Sequence, residues 1–515
     1  MNQNNISAAE LFLRVRELLI LPELEPKTRN KMMHDTLILC CHEGVKETKQ
    51  AFGNLFSQVD YLCKARGIKV ADKIAIQTMR RHSNSQEPLS GEDLKYDARA
   101  LALFISAVFG VDVPHELNVL IPHTPRPYQK GLEINNRRIR CIVKNWDGDF
   151  IRVDIDQDAD EEEYLVQLKD EENHIDHTYL WDILKEGMQL NLLDCQVKQP
   201  IITPRLIVVE PDYLVDISSI ATCFTAFGHH PLLYLLNLMK PRANTQATLL
   251  GNFAGAALDD IINSHGKYQM NETVKTNFRE KALEFCTCPW FDPTKFYTDA
   301  SLQAFNLQQV VDILFPRTAS QAQMTALRGE SLYDRKKAIL EPSFVCEALG
   351  IQGRVDLMTT DCKLLVEQKS GRNMNIETHQ VDPGYHSYQL EPHYVQLLLY
   401  YGVLQHNFKL SNDRVNIRLL YSKYRPQDGL MVVAYYQKLF KEAIQYRNQL
   451  VAASFEIAKE GFEHALNEFT PEVLNVAGTQ DFFYNKYLKP QIEAITKPLH
   501  DLSPLEEAYF CRMMT

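Results

Sequence analysis

The sequence lacks an apolar run of membrane-spanning length, a glycine-rich phosphate loop and a regular cysteine framework. Each absence removes a class of protein. A spanning helix needs about 20 mostly apolar residues in succession, so no membrane partner is expected. The pattern G-x-x-x-x-G-K-S/T occurs nowhere, which argues against a P-loop nucleotide-driven motor. The 11 cysteines are scattered, as suits a reducing compartment. The first apolar stretch, 11–21, is broken by Arg14, Arg16 and Glu17 and does not read as a signal peptide, so a cytoplasmic location is expected. Excess positive charge is missing too. The 55 Lys and Arg against 66 Asp and Glu leave a net charge of −11. That argues against a surface coated for nucleic acid, but not against a local basic channel.

What remains is a multidomain α/β pattern. A chain of 515 residues is long enough for roughly three or four domains. Residues 1–125 read as a helical domain, with apolar residues at helical spacing over 37–41, 51–62 and 98–109, joined by polar stretches such as 82–86. Ser7 and Glu10 form a capping box opening the first helix. Pro122, Pro125 and Pro127 mark a boundary, and β-like runs follow at 138–144, 150–155 and 164–168. Asp147-Gly148 supplies a hairpin turn. A small OB-like β-barrel is expected over 126–208. The alternating Asp154, Asp156, Asp158 and Asp160 are not a calcium loop, because Ala159 and Leu165 stand where Gly and Glu are required. So acidic a barrel is expected to brace its neighbour rather than hold DNA.

The chemistry concentrates between Gly353 and Tyr400. Leu365, Glu367 and Lys369 fall on one face of a strand, and Leu364, Val366 and Gln368 on the other. Thr360-Asp361 supplies a turn, so a hairpin brings Asp356 alongside Glu367. Two carboxylates suit Mg²⁺ or Mn²⁺, which keeps waters and leaves room for phosphate oxygens. Such an ion activates water and polarises a phosphoryl group, while Lys369 can steady developing negative charge. Glu-x-Lys alone carries no weight, since residues 25–27 and 47–49 match it too. On that tripeptide alone, a solvated strand face is the ordinary reading. Asp356, Gly353 and a helix placing Gln396 and Tyr400 at i, i+4 shift the balance.

Together these residues resemble the RecB-type branch of the PD-(D/E)xK nucleases, an αβ core with a small mixed sheet. They are most similar to the nuclease part of the Okazaki-flap helicase–nucleases (Dna-two type) and to the CRISPR-associated exonucleases. The likeness covers about half of the chain, roughly 202–434. Asp212 to Ile220 resembles the strand-to-helix opening of that domain, Leu249-Leu250-Gly251 the start of its first catalytic helix, and Leu340-Glu341-Pro342 the approach to the first metal-binding strand. The resemblance implies Asp356 and Glu367 as metal ligands, Lys369 as catalytic lysine, and Gln396 with Tyr400 lining the site. Two departures stand out. The family's metal-binding His is replaced by Gly255, followed by Ala256 where Glu is frequent, with Asp259 or Asp260 available one turn on. Many relatives also hold an iron–sulfur cluster on four cysteines, one near the domain entry and three after the Gln helix. Here Cys223 is followed beyond Gln396 only by Cys511, so no cluster is expected. Cys286 and Cys288 are spaced wrongly for zinc and read as free, buried thiols.

The nuclease domain is expected over 209–475. Beyond the Gln396 helix lie a hairpin (415–424 and 430–434) and a long helix over 437–460 ended by Gly461. The remainder, 476–515, reads as a linker and a short helix opened by Ser503, Pro504 and Glu506. Its apolar Leu505, Tyr509, Phe510, Met513 and Met514 need a surface: the chain's own core, a separate motor, or a helicase part of a longer polypeptide. The expected activity is metal-dependent hydrolysis of single-stranded or flap DNA, coupled to a helicase in repair, replication or anti-invader defence. Arg354, Lys363 and Arg372 are candidate DNA contacts. The alternatives are a catalytically weakened DNA clamp or scaffold and a restriction-type endonuclease on duplex DNA.

Overall fold

The structure is a computed structural model that describes residues 6–21, 25–85, 88–126, 132–155, 163–225, 228–239, 244–264, 267–379, 387–410, 414–474, 482 and 484–515. Gln86, Pro127, Asp156, Asp158, Ala159 and Asp160 lie outside them.

Near the N-terminus the helices Ala8–Ile20, Pro26–Val45, Leu55–Ala65, Val70–Asn84 and Gly91–Phe109 share a core that includes Leu11, Val15, Met33, Leu37, Leu62, Met79 and Leu101. The capping box at Ser7 and Glu10 is present. Two details differ from the helical reading. Helix Val70–Asn84 runs on into the expected polar connector as far as Asn84, with Ser85 at its C-cap. Ala51–Phe52 is not helical: it is a strand paired parallel to Leu430–Val433, and Asn54 then caps helix Leu55–Ala65. Local periodicity cannot show a partner so distant in the chain.

Next comes a closed five-stranded barrel in the order Asn136–Asp147, Phe150–Ile155, Tyr164–Gln167, Ile201–Val209, Gln189–Lys198. The expected hairpin is there, with Asp147 opposite Phe150. Helix Gln437–Glu460 is anchored against the barrel's end through Arg447, which is fully buried. Its guanidinium donates to the carbonyls of Gly350 (3.1 Å), Glu210 (2.9 Å), Tyr213 (2.5 Å) and Val209. Asn448 beside it donates to Ile207 O at 2.8 Å. A guanidinium whose donors meet four fixed carbonyls acts as a rigid clamp between this helix and the end of the barrel.

A mixed six-stranded sheet is the frame of the second half. Its order is Ala51–Phe52, Leu430–Val433, Asn416–Tyr421, Leu364–Lys369, Leu357–Thr359, Ala338–Leu340. Strand Leu364–Lys369 lies near its middle, parallel to Asn416–Tyr421 and antiparallel to Leu357–Thr359. Leu364 and Val366 pack with helices Gln246–Asn263 and Pro293–Leu314, whereas Leu365 joins the core formed with helices Glu391–Phe408 and Gln437–Glu460. The sheet therefore has helices on both faces, and a strand buried on both sides reads as a continuous apolar run. The long helix Gln437–Glu460 ends at Gly461, whose φ of +96° suits glycine.

The C-terminal region differs from a plain linker: a helix spans Lys489–His500 before Pro504–Met514. The capping box at Ser503 and Glu506 is present. This last helix docks on the chain's own apolar cluster, with Cys511 buried and Phe510 and Met514 packed near Phe462 and Leu466. Leu505, Tyr509 and Met513 stay exposed. All 11 cysteines are free, and Cys286 is exposed rather than buried. Among the described residues no helix is long and apolar enough to cross a membrane.

Candidate active site

Asp356 sits where the chain leaves strand Ile351–Arg354 and enters Leu357–Thr359. The antiparallel register, Leu357 opposite Val366, carries it to the end of the hairpin beside Glu367 and Gln368. There the Gln368 N–H donates to Asp356 Oδ2 at 2.6 Å. Glu367 is only 2% exposed, which disposes of the solvated strand face. Lys369 Nζ donates at 2.8 Å both to Glu367 Oε1 and to Gln396 Oε1. Tyr400, one turn along the helix from Gln396, donates to the Arg354 carbonyl at 2.6 Å. Gly353 makes that approach possible, because a Cβ there would lie 2.9 Å from the Tyr400 ring. All five residues singled out in the sequence thus meet at one place.

The charges there do not balance. Burial pushes the Glu367 carboxyl up to about 8, Asp356 adds repulsion, and Lys369 only partly offsets both. Asp356 is also raised, chiefly by burial, against the pull of the Gln368 N–H and Lys369. Glu367 Oε2 is buried with no hydrogen-bond partner among the described residues, and such a group costs free energy unless something satisfies it. Asp259 rises to about 6 through burial and repulsion from Glu341, Asp260 and Asp356. Asp260 is exposed and accepts from Thr273 Oγ1 at 2.5 Å. Of that pair, then, Asp259 is the one that faces Asp356. A Cβ on Gly255 would meet nothing within 4 Å, so the space beside this position is open.

Sequence reasoning missed three contributors. Glu341 adopts a left-handed φ of +47°, its N–H donates to the Asp356 carbonyl at 3.0 Å, and its carboxylate pairs with Arg354 at 3.1 Å. In the sequence it stands out only within Leu340-Glu341-Pro342. His393, on the same helix as Gln396, accepts or donates to Tyr421 Oη at 3.1 Å; burial and Lys369 hold it neutral, near 3. Its i, i+3 spacing from Gln396 was a usable signal. Behind the strand, Gln368 donates to Ser422 Oγ (2.8 Å), which donates to Gln303 Oε1 (2.7 Å), while Gln303 donates to the Ser370 carbonyl (3.1 Å). Nothing in the sequence near Lys369 announces that support.

The three candidate DNA contacts are paired: Arg354 with Glu341, Lys363 loosely with Asp361 at 3.9 Å, and Arg372 with Glu377 at 2.5 Å. The Cys223 thiol points at the Pro231 carbonyl (3.7 Å), and Cys511 belongs to a different apolar cluster.

As to what could be held here, no group of three or more His, Cys, Asp or Glu among the described residues is arranged as a ready metal cage. Mg²⁺ does not require one; it is usually bound through one or two carboxylates with retained waters. Asp356 and Glu367 fit that description, and the unpartnered Glu367 Oε2 is the kind of oxygen a cation would satisfy. No protein-family model matches the chain, and no curated protein matches it significantly in sequence.

Proposed function

We propose that the protein is a metal-dependent nuclease of the RecB-type PD-(D/E)xK kind, hydrolysing phosphodiester bonds in single-stranded or flap DNA. The observation that carries this reading is Lys369 spanning Glu367 and Gln396 next to Asp356, with one Glu367 oxygen buried and unpartnered. Asp356 and Glu367 would hold Mg²⁺ or Mn²⁺, with Asp259 a weaker third candidate. Bound there, the ion supplies Lewis acidity and a nucleophilic water. Lys369, fixed from two sides, presents its charge to the phosphoryl group as negative charge develops. Tyr400 fixes the backbone at Arg354 and so the position of Asp356 two residues on. In this reading the five-stranded barrel is of OB type, and a helicase in the same longer polypeptide or a separate subunit supplies the strand.

The test is incubation of end-labelled single-stranded, flap and duplex DNA with Mg²⁺, Mn²⁺ or EDTA. Cleavage of single-stranded ends and flaps that EDTA abolishes is the expected result. Binding without cleavage under every metal condition would favour the clamp. Efficient internal cutting of closed duplex, or of a strand bulkily blocked at both ends, would favour a restriction-type enzyme.

A further inference from the structure

Helices Val70–Asn84 and Gly91–Phe109, the barrel and the start of helix Gln437–Glu460 enclose a cleft of about 1330 Å³. It is larger than ordinary small-molecule pockets, which run from roughly 300 to 1,000 Å³. Its walls carry an uneven charge. Arg99 pairs with Asp72 at 3.3 Å, Arg126 with Asp93 at 2.5 Å, and His82 Nδ1 with Asp97 at 2.6 Å, so these groups are spent. Arg81, Arg205 and Lys441 also line the cleft, and no carboxylate among the described residues pairs with any of them. Among the described residues the only other acid on the wall is the exposed Glu172. Arg205 and Lys441, from the barrel and the long helix, stand close enough to repel one another. Burial and Arg205 together push the Lys441 ammonium down. Two cations held together with no anion are costly unless an anion visits them. Tyr96 and the half-exposed Ile74 add apolar surface to the same walls.

We propose that this cleft binds the sugar–phosphate backbone of a single-stranded nucleic acid, with Arg81, Arg205 and Lys441 as its phosphate contacts. A cleft of this volume accepts a few nucleotides of one strand, whereas a duplex turn of about ten base pairs does not fit inside it. Cationic grooves with an aromatic ring on the wall are the usual way to hold single strands without regard to sequence. Choosing nucleic acid over other polyanions rests on the nuclease reading. None of the cleft residues belongs to the Asp356–Glu367–Lys369 site, so this is a separate hold on the strand. It also gives the barrel, whose expected part was bracing alone, a share in the binding through Arg205.

The test is fluorescence anisotropy of a labelled oligothymidylate with the full chain in EDTA, across a salt series. The Arg205→Gln/Lys441→Gln double variant should bind about 10-fold more weakly, with a salt slope shallower by about 1.4, at ~0.7 per lost phosphate contact. Lys275→Gln/Arg279→Gln, an equal loss of charge on the exposed face of helix Met270–Glu280, should match the wild type. Unchanged affinity and slope in the double variant overturn the proposal, as does equal competition by a duplex of the same length. If the double variant fails to fold, the native protein answers instead: saturating oligonucleotide should protect Lys441 from acetylation, and equal modification with and without it overturns the assignment. Strand binding that depends on the cleft in a protein that cuts nothing would sink the nuclease reading alone. Cleavage that persists while the cleft variants bind normally would sink the cleft alone.

Discussion

Two kinds of buried acid occur in this molecule, and they behave oppositely. Glu330 is almost wholly enclosed, but Arg418 meets it at 2.7 Å and neutralises it. His229 lies between Glu391 (2.7 Å) and Glu442 (2.6 Å), and those two carboxylates raise it to about 9 despite its burial, so both ring nitrogens carry protons at neutral pH. At Asp356, Glu367 and Asp259 burial outweighs the nearby cations, and every one of the three is pushed towards its protonated form. A neutralised cluster ties elements together. An unneutralised one is kept at a cost to stability, which makes it the better marker of function.

The largest expected effect separates the two kinds by activity. Lys369→Ala and Glu367→Ala should each lower cleavage by about 10²–10³ or more while the fold persists. Near-normal cutting by the Lys369 variant in a gel assay would remove the site assignment.

Next comes stability. Arg418→Ala strands Glu330 in the interior and should cost about 3–5 kcal/mol, read from urea unfolding. Glu367→Gln should do the reverse in metal-free protein at alkaline pH, since it removes a carboxylate that burial disfavours. If both variants lose stability alike, the contrast between the clusters fails.

The pH dependence refines that contrast. Glu367 holds its proton more tightly folded than unfolded, so its contribution is fully present below about 4.5 and is lost as pH rises through about 8. Metal-free protein should therefore melt lower at pH 8.5 than at pH 6, and Mg²⁺ or Mn²⁺ should restore more at pH 8.5, where no proton must be displaced. Asp259→Ala should shift the metal titration to higher concentration, and Asp260→Ala should leave it in place. Identical titrations for wild type and the Asp259 variant would confine the ligands to Asp356 and Glu367.

The smallest effect is expected at His229. Its folded value lies above the ordinary 6.5, so its stabilisation is complete below that and is lost as pH rises through about 9. His229→Gln should flatten the melting curve's decline between pH 7 and pH 10. An unchanged decline would mean that the bridge does not titrate there.

Much of this arrangement was legible because it is local. Strand alternation placed Glu367 and Lys369 together, a short turn brought Asp356 next to them, and helical spacing aligned Gln396 with Tyr400. Caps at Ser7 and Ser503 and the stop at Gly461 were equally visible. What the sequence hid is what distant segments contribute. Gln303 reaches Ser422 and Ser370 from a helix with no motif, and Arg447 grips carbonyls far upstream. Arg354, Lys363 and Arg372 looked available as cations because their acidic partners are set by folding. Arg205 and Lys441 passed unnoticed because they meet only in three dimensions.

The two-residue strand Ala51–Phe52 has a consequence for how the chain assembles. It leaves the ribosome early, whereas Met431, its partner, is synthesised only after most of the chain has emerged. The edge of the central sheet therefore cannot close until residues 430–433 have emerged, and it then closes across a contact of very long range, the kind that slows folding. Until it closes, Leu430–Val433 offers a row of unpaired backbone groups to any neighbouring chain. Removing the N-terminal helices together with Ala51 and Phe52 would make that exposure permanent, so such a truncation should promote aggregation rather than release an independent second half.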